Sequence, residues 1–300
     1  MKTLRNSTAI LALAALAAVP GTARPASFKH ELSIYQDDKE GALQLPEGVA
    51  CSDKGALVVA DTGNGRLLVY AFREGKLSGG TEVKIAEAAR PVRVQIDAKG
   101  EVLVLDRRSR RIVRVDAAGK FAGAIEWKGA SGSAAVMPTA FKLDASGNLH
   151  VLDVASRRVL VADPGGRVSR EIPLPGAGTE FTDVAVDGTG RILAVDSVGS
   201  RVWVADRGAK EFKPLGTSLK DRVSFPVYLL EDHGKMYLVD QNGNGIALLG
   251  SDGEFLGREL EMGWVNGRVY YPAQMCVNGE GLAFVADRNN NRVQVFSLAR

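Results

Sequence analysis

Six aspartates, Asp61, Asp106, Asp153, Asp196, Asp240 and Asp287, stand 45, 47, 43, 44 and 47 residues apart along the chain. Five of them are followed five residues later by an arginine: Arg66, Arg111, Arg158, Arg201 and Arg292. Carboxylates repeated in this way raise the idea of a ring of metal ligands. One Asp per copy, always closing the same short apolar run, is also what a turn-capping residue does, and that structural reading is preferred. Chemistry is better sought where the copies differ. Arg93, Asp183, Tyr228 and Gln274 occupy one equivalent place in four copies, vary in type, and are expected to point into the mouth of a central channel. Arg107, Arg108, Arg110 and Arg111, with Arg157 and Arg158 one copy later, form the densest positive cluster. Guanidinium forks suit carboxylates and other anions, so Arg107, Arg108, Arg110 and Arg157 are candidates for docking an anionic partner, while Arg111 and Arg158 are read as structural arginines of the repeat. Trp264, Tyr270 and Tyr271 precede the last copy and are expected near the same mouth.

The elements that must position these residues are short strands. Each copy opens with Pro46, Pro91, Pro138, Phe181, Pro226 or Pro272, continues through an apolar strand to a Gly turn, and returns through a second apolar strand to the aspartate. Runs such as Ala56 to Ala60 and Ile192 to Val195 are apolar on both faces, so they belong in strands buried on both sides. A third strand follows, as in Arg66 to Tyr70, and a weaker fourth, as in Val168 to Leu174. Four antiparallel strands repeated six times predict an all-β fold, a six-bladed propeller. The sixth copy ends at Phe296 with no room for a fourth strand, and residues 28–36 share the pattern of Val168 to Ile172, so the N-terminal segment is expected to complete blade six.

The first copy, PEGVACSDKGALVVADTGNGRLLVY at residues 46–70, resembles the NHL repeat, and copies two, three, four and six keep its Asp and Arg. The fifth copy departs, with Gly245 in the place of the arginine. The resemblance implies a six-bladed NHL-type propeller over residues 24–300. Peptidyl-hydroxyglycine lyases resemble this chain as NHL-like propellers and hold zinc with several histidines, but His30, His150 and His233 fall in separate blades and cannot converge as zinc requires. No H-E-x-x-H, G-x-S-x-G, C-x-x-C-H or phosphate-binding Gly-Lys motif is present.

Two functional classes remain. With no convergent catalytic constellation, the favoured expectation is a non-catalytic scaffold or binding propeller that offers its loop face to a protein, peptide or glycan. The alternative is a calcium-dependent lactonase-like hydrolase, whose propellers resemble this one in shape and would need Glu47, Asp183, Gln274, Asn64 or Asn289 to meet near the axis. No cofactor is expected under the first reading, and calcium under the second.

Residues 1–23 read as an export signal: Lys2 and Arg5, an apolar run from Ala9 to Val19, then Gly21-Thr22-Ala23. The protein is therefore expected to be periplasmic or extracellular, monomeric and without a membrane span. Removing that leader leaves 36 cations against 35 anions, a net charge of +1, which is no basis for binding nucleic acid. An exported chain can keep disulfides. Cys51 and Cys276 lie on the innermost strands of blades one and six, neighbours once the ring shuts, and are read either as two separately buried thiols, the preferred reading, or as a bridge across the seam.

Overall fold

The computed structural model describes residues 28–132, 135–176 and 179–298, so the leader expected at residues 1–23 lies outside them. Among the described residues, 24 strands form six four-stranded antiparallel sheets. The innermost strands are Gly48–Cys51, Pro91–Ile96, Pro138–Leu143, Phe181–Val186, Pro226–Asp232 and Pro272–Val277. Each packs beside the next, and the last packs beside the first, which closes the wheel. No helix among the described residues is long and apolar enough to cross a membrane.

The apolar character of both strand faces follows from this arrangement. Each blade is a sheet pressed between two others, and six buried clusters fill the gaps between neighbouring blades. Between blades one and six, for example, Val59, Leu68 and Phe72 meet Phe284, Val293 and Val295. At about 25 cal/mol per Å² of apolar surface removed from water, such clusters supply the main cohesion of the ring.

The ring closes as its ends predict. Lys29–Ile34 pairs antiparallel with Arg292–Ser297 as the outermost strand of blade six, in a register running from Lys29 opposite Ser297 to Ile34 opposite Val293. Phe28 anchors the start of the clasp against Phe296 and Tyr237, with ring centroids 5.5 Å and 6.1 Å apart. The clasp covers a sheet edge that would otherwise present unpaired backbone groups. The preference for separate thiols is corrected: Cys51 and Cys276 are joined in a disulfide, with Cα atoms 5.9 Å apart. Both side chains turn into the gap between blades one and six, where closure brings the two innermost strands together.

The repeated aspartates are ties between loops. In each blade the carboxylate accepts a backbone N–H from the chain just before the innermost strand: Gln44, Arg90, Met137, Glu180, Phe225 or Tyr270, at 2.6 to 3.2 Å. In blades one, three and six the repeat arginine then pairs with the Asp, Arg66 at 2.7 Å, Arg158 at 2.9 Å and Arg292 at 2.7 Å. Blade five lacks that arginine, and Arg258 from the fourth strand takes its place, 2.8 Å from Asp240. Gly243 and Gly245 make room for it, since a Cβ on Gly243 would stand 2.5 Å from the Arg258 guanidinium. In blade two Arg111 turns away from Asp106 to Glu126, 2.7 Å distant.

Candidate functional site at the channel mouth

The innermost strands begin at the face where the turns after the aspartates gather. In blades two to five a one-residue bulge separates the opening residue from the position two further on. Bulges rotate the following side chain and re-aim it. The residues at this position in the six blades are Gly48, Arg93, Ala140, Asp183, Tyr228 and Gln274, and four of them are the expected channel residues. The structure brings those four together on the axis, as contacts between non-adjacent blades show. Arg93 of blade two donates to Val227 O (2.9 Å) and Ala273 O (3.3 Å) of blades five and six. Gln274 of blade six donates to Val94 O of blade two at 3.0 Å. Gly48 and Ala140 keep the remaining sectors small, and a Cβ on Gly48 would lie 3.3 Å from Gln274 Oε1.

A fifth member was not anticipated. Lys142, two residues deeper in blade three, extends to the axis beneath the small Ala140 and places Nζ 3.4 Å from the centroid of the Tyr228 ring, which Arg93 also faces at 5.3 Å. A lysine on a strand that otherwise alternates ordinarily is a signal that sequence could have offered, because the other innermost strands carry Ala50, Gln95, Ala185, Leu230 and Cys276 there.

This layer is buried and charged. Asp183 and Gln274 are fully buried, Tyr228 and Lys142 nearly so, and Arg93 is partly exposed. Asp183 Oδ2 accepts from Leu229 N at 2.8 Å, whereas Asp183 Oδ1, Lys142 Nζ, Arg93 Nε and Gln274 Oε1 have no partner. Burial pushes the Asp183 carboxyl above the usual carboxylate range, with Lys142 and then Arg93 pulling it back. The Val227 and Ala273 carbonyls that hold Arg93 lie one residue nearer the strand starts than Tyr228 and Gln274. Arg93 therefore sits on the mouth side of the layer.

Above it, Glu47 is buried between two arginines. Arg107 grips it with both terminal nitrogens, Nη1 at 2.9 Å from Oε1, and Arg288 Nε lies 3.3 Å from the same oxygen. Asn289 supports Arg288 through a bond of 2.7 Å, while Asn64 is held at the rim by Asp61 and Ala42. Of the other arginines singled out in sequence, Arg157 is committed to Gly176 O, Thr179 Oγ1 and Pro175 O, and Arg201 lies on the third strand of blade four. Trp264 projects from the loop before blade six at 69% exposure, 6.1 Å from the Tyr270 ring, and Tyr271 N donates to Asn244.

The histidines do not meet. His30 lies on the clasp against Ser33 and Phe296, His233 in a turn on the opposite face beside Asp232, and His150 inside blade three. Burial pushes the His150 imidazole below the usual histidine range, opposed by Asp144 at 3.3 Å.

Calcium prefers six to eight oxygen ligands, several of them carboxylates. Here every carboxylate near the axis already faces cations: Glu47 faces Arg107 and Arg288, and Asp183 faces Lys142 and Arg93. Among the described residues, no three His, Cys, Asp or Glu side chains converge to hold a metal ion. The donor set does not fit a divalent cation at the axis. The melting temperature is accordingly expected to be the same in millimolar calcium and in chelator, and a shift of several degrees would contradict this assignment.

The NHL repeat family model matches residues 43–70 and 269–296, the first and sixth copies, and the remaining four blades repeat the same sheet and aspartate tie. The chain is an NHL-repeat propeller. No curated protein sequence matches it. Among solved structures, this propeller is similar to a gluconolactonase of Xanthomonas campestris at 16% identity, covering 94% of this chain and 97% of the other with a TM-score of 0.66. It is also similar to virginiamycin B lyase of Staphylococcus aureus at 14% identity, covering 89% of this chain and 98% of that one with a TM-score of 0.62. Both neighbours are enzymes, so the expectation of a non-catalytic scaffold propeller is corrected in favour of the enzymatic alternative. At such identities the likeness is one of fold, and the chemistry rests on the NHL propeller's own residues.

Proposed function

We propose that this exported NHL propeller is a hydrolase of the lactonase-like class, acting on a small cyclic or open ester at the mouth of its channel. The observation that carries this reading is the buried Asp183 carboxyl opposed by Lys142 and Arg93, in a layer where four polar atoms have no protein partner. Strongly perturbed acids set against specific charges concentrate at functional sites. Arg93, on the mouth side and held by two backbone carbonyls and the Tyr228 ring, is the group a substrate would displace to reach the layer.

In this scheme ionised Asp183 takes a proton from the water that adds to the ester carbonyl carbon. The Lys142 ammonium and the free Arg93 Nε–H face the negative charge that grows on the carbonyl oxygen, a role for which donors in a buried site are effective. Collapse of the adduct breaks the carbon–oxygen bond, and the departing oxygen takes back the proton, leaving a hydroxy acid from a lactone or an acid and an alcohol from an open ester. Export is part of the proposal and is supported by the leader-like residues 1–23 and by the disulfide, which persists in oxidising compartments.

The test is acid release at constant pH from a panel of sugar lactones and aryl esters. The wild-type chain is expected to show saturable turnover, and Lys142→Met to lower kcat by about 10²- to 10³-fold with KM little changed. Wild-type rates no greater than those of buffer across the panel, or full activity in Lys142→Met, would sink the proposal.

A further inference from the structure

Two guanidinium groups on the mouth face stand apart from the repeat's ion pairs. Arg107 is spent on Glu47 and Arg157 on Pro175, Gly176 and Thr179, whereas among the described residues the side chains of Arg108 and Arg110 have neither a hydrogen-bond nor an acidic partner. Both are exposed. They border a cleft of about 750 Å³ between the turn of blade two and residues 125–127 and 135–137, within the usual size of ligand sites. Its opposite wall carries Ile125, the half-buried Trp127, Val136 and Met137, with the Glu126 carboxylate among them. Arg111, diverted from its aspartate to the exposed Glu126, also faces this cleft.

The backbone at Arg110 adds an independent observation. The equivalent turn position is left-handed in every blade, with φ of 64° at Gly65, 52° at Arg110, 47° at Arg157, 45° at Ser200, 55° at Asn244 and 53° at Asn291. Glycine and asparagine adopt this region readily and arginine does not. At Arg157 the strain is offset by three oxygen acceptors. Arg110 has no such return within the chain. The turn imposes this conformation in every blade, at Ser200 as well, and the long Arg110 side chain adopts it while projecting free from the mouth face.

We propose that this cleft is a binding site for a short chain of carboxylated sugar rings, an oligouronate. A uronate offers within one ring both features the cleft presents: a flat face of C–H groups to lie on the Trp127 indole, and a carboxylate for a bidentate guanidinium. An acidic peptide brings carboxylates on flexible side chains but no flat ring, and a neutral glycan leaves the two arginines without a counter-charge. The site lies away from the axial layer and does not depend on the hydrolase assignment.

Binding of trigalacturonate to the full-length protein, followed by calorimetry, tests this directly, with its methyl ester, maltotriose and triglutamate as comparison ligands. Trigalacturonate is expected to bind, more weakly as salt is raised, and the Arg108→Ala/Arg110→Asn variant to weaken it about tenfold or more. Arg110→Asn alone is expected to raise the melting temperature while weakening binding, the signature of a strained binding residue. Failure of trigalacturonate to bind, equal binding of the methyl ester or of triglutamate, or undiminished binding by the double variant would each overturn the proposal.

Discussion

Replacing Asp183 by Asn is expected to lower the hydrolytic rate by about 10²- to 10⁴-fold, the usual contribution of a positioned general base. The amide keeps an oxygen to accept from Leu229 N and matches the neutral carboxyl in shape. Because burial is the largest influence on this group and raises its pKa, the folded state tolerates its neutral form best. The sign follows: the contribution of Asp183 to stability is fully present below the ordinary aspartate range and is lost as pH rises through the raised folded value. The substituted amide cannot ionise, so the melting temperature of Asp183→Asn should fall less between pH 4 and pH 7 than that of the parent chain. Activity runs the opposite way in the wild type, since the base must be ionised, and the acid limb of kcat/KM should lie above the ordinary aspartate pKa of about 3.9. If Asp183→Asn leaves two cations unbalanced and unfolds, the double variant Asp183→Asn/Lys142→Met removes the buried one, leaves only the partly exposed Arg93 and keeps the test open. An inactive, folded double variant agrees with the assignment. An active one ends it.

The second large effect concerns the seam. Cys51 and Cys276 are 225 residues apart in sequence, so the bridge closes most of the propeller into a loop. By chain entropy alone, a loop of that length is worth about 5 kcal/mol against the unfolded chain. Cys51→Ala/Cys276→Ala, or reduction of the wild type, is expected to lower the melting temperature by roughly 10 °C or more in a domain of this size. The clasp strand and the cluster between blades one and six remain, so the reduced wheel should still close at room temperature. Equal melting curves with and without reductant would show that the clasp alone carries the seam. Blades one and six also supply Glu47, Arg288 and Gln274, so a loosened seam should disturb the mouth before it unfolds the rest.

Much of this architecture was legible in the chain because it rests on repetition. A strand sandwiched between sheets must be apolar on both faces, and an aspartate that ties two loops must recur at the period of the blade, so copy number, strand order and the clasp at Lys29–Ile34 could all be read along one dimension. Arg93, Asp183, Tyr228 and Gln274 were visible for the opposite reason, as the variable residues at an otherwise regular place. Lys142 escaped notice because it reaches the axis from two residues deeper, through space left by Ala140, and Arg258 because it replaces the missing arginine of blade five from a different strand.

By itself the amino-acid order determined a six-bladed wheel with a shared aspartate tie, since local pattern and period dictate which faces are buried. Which thiols bond, which arginines are consumed by Glu47 or by loop carbonyls, and which polar atoms are left facing one another on the axis were decided only when the ring closed. Those contacts join residues as much as 241 positions apart, as between Glu47 and Arg288, and their pairing depends on distances that no spacing along the chain encodes.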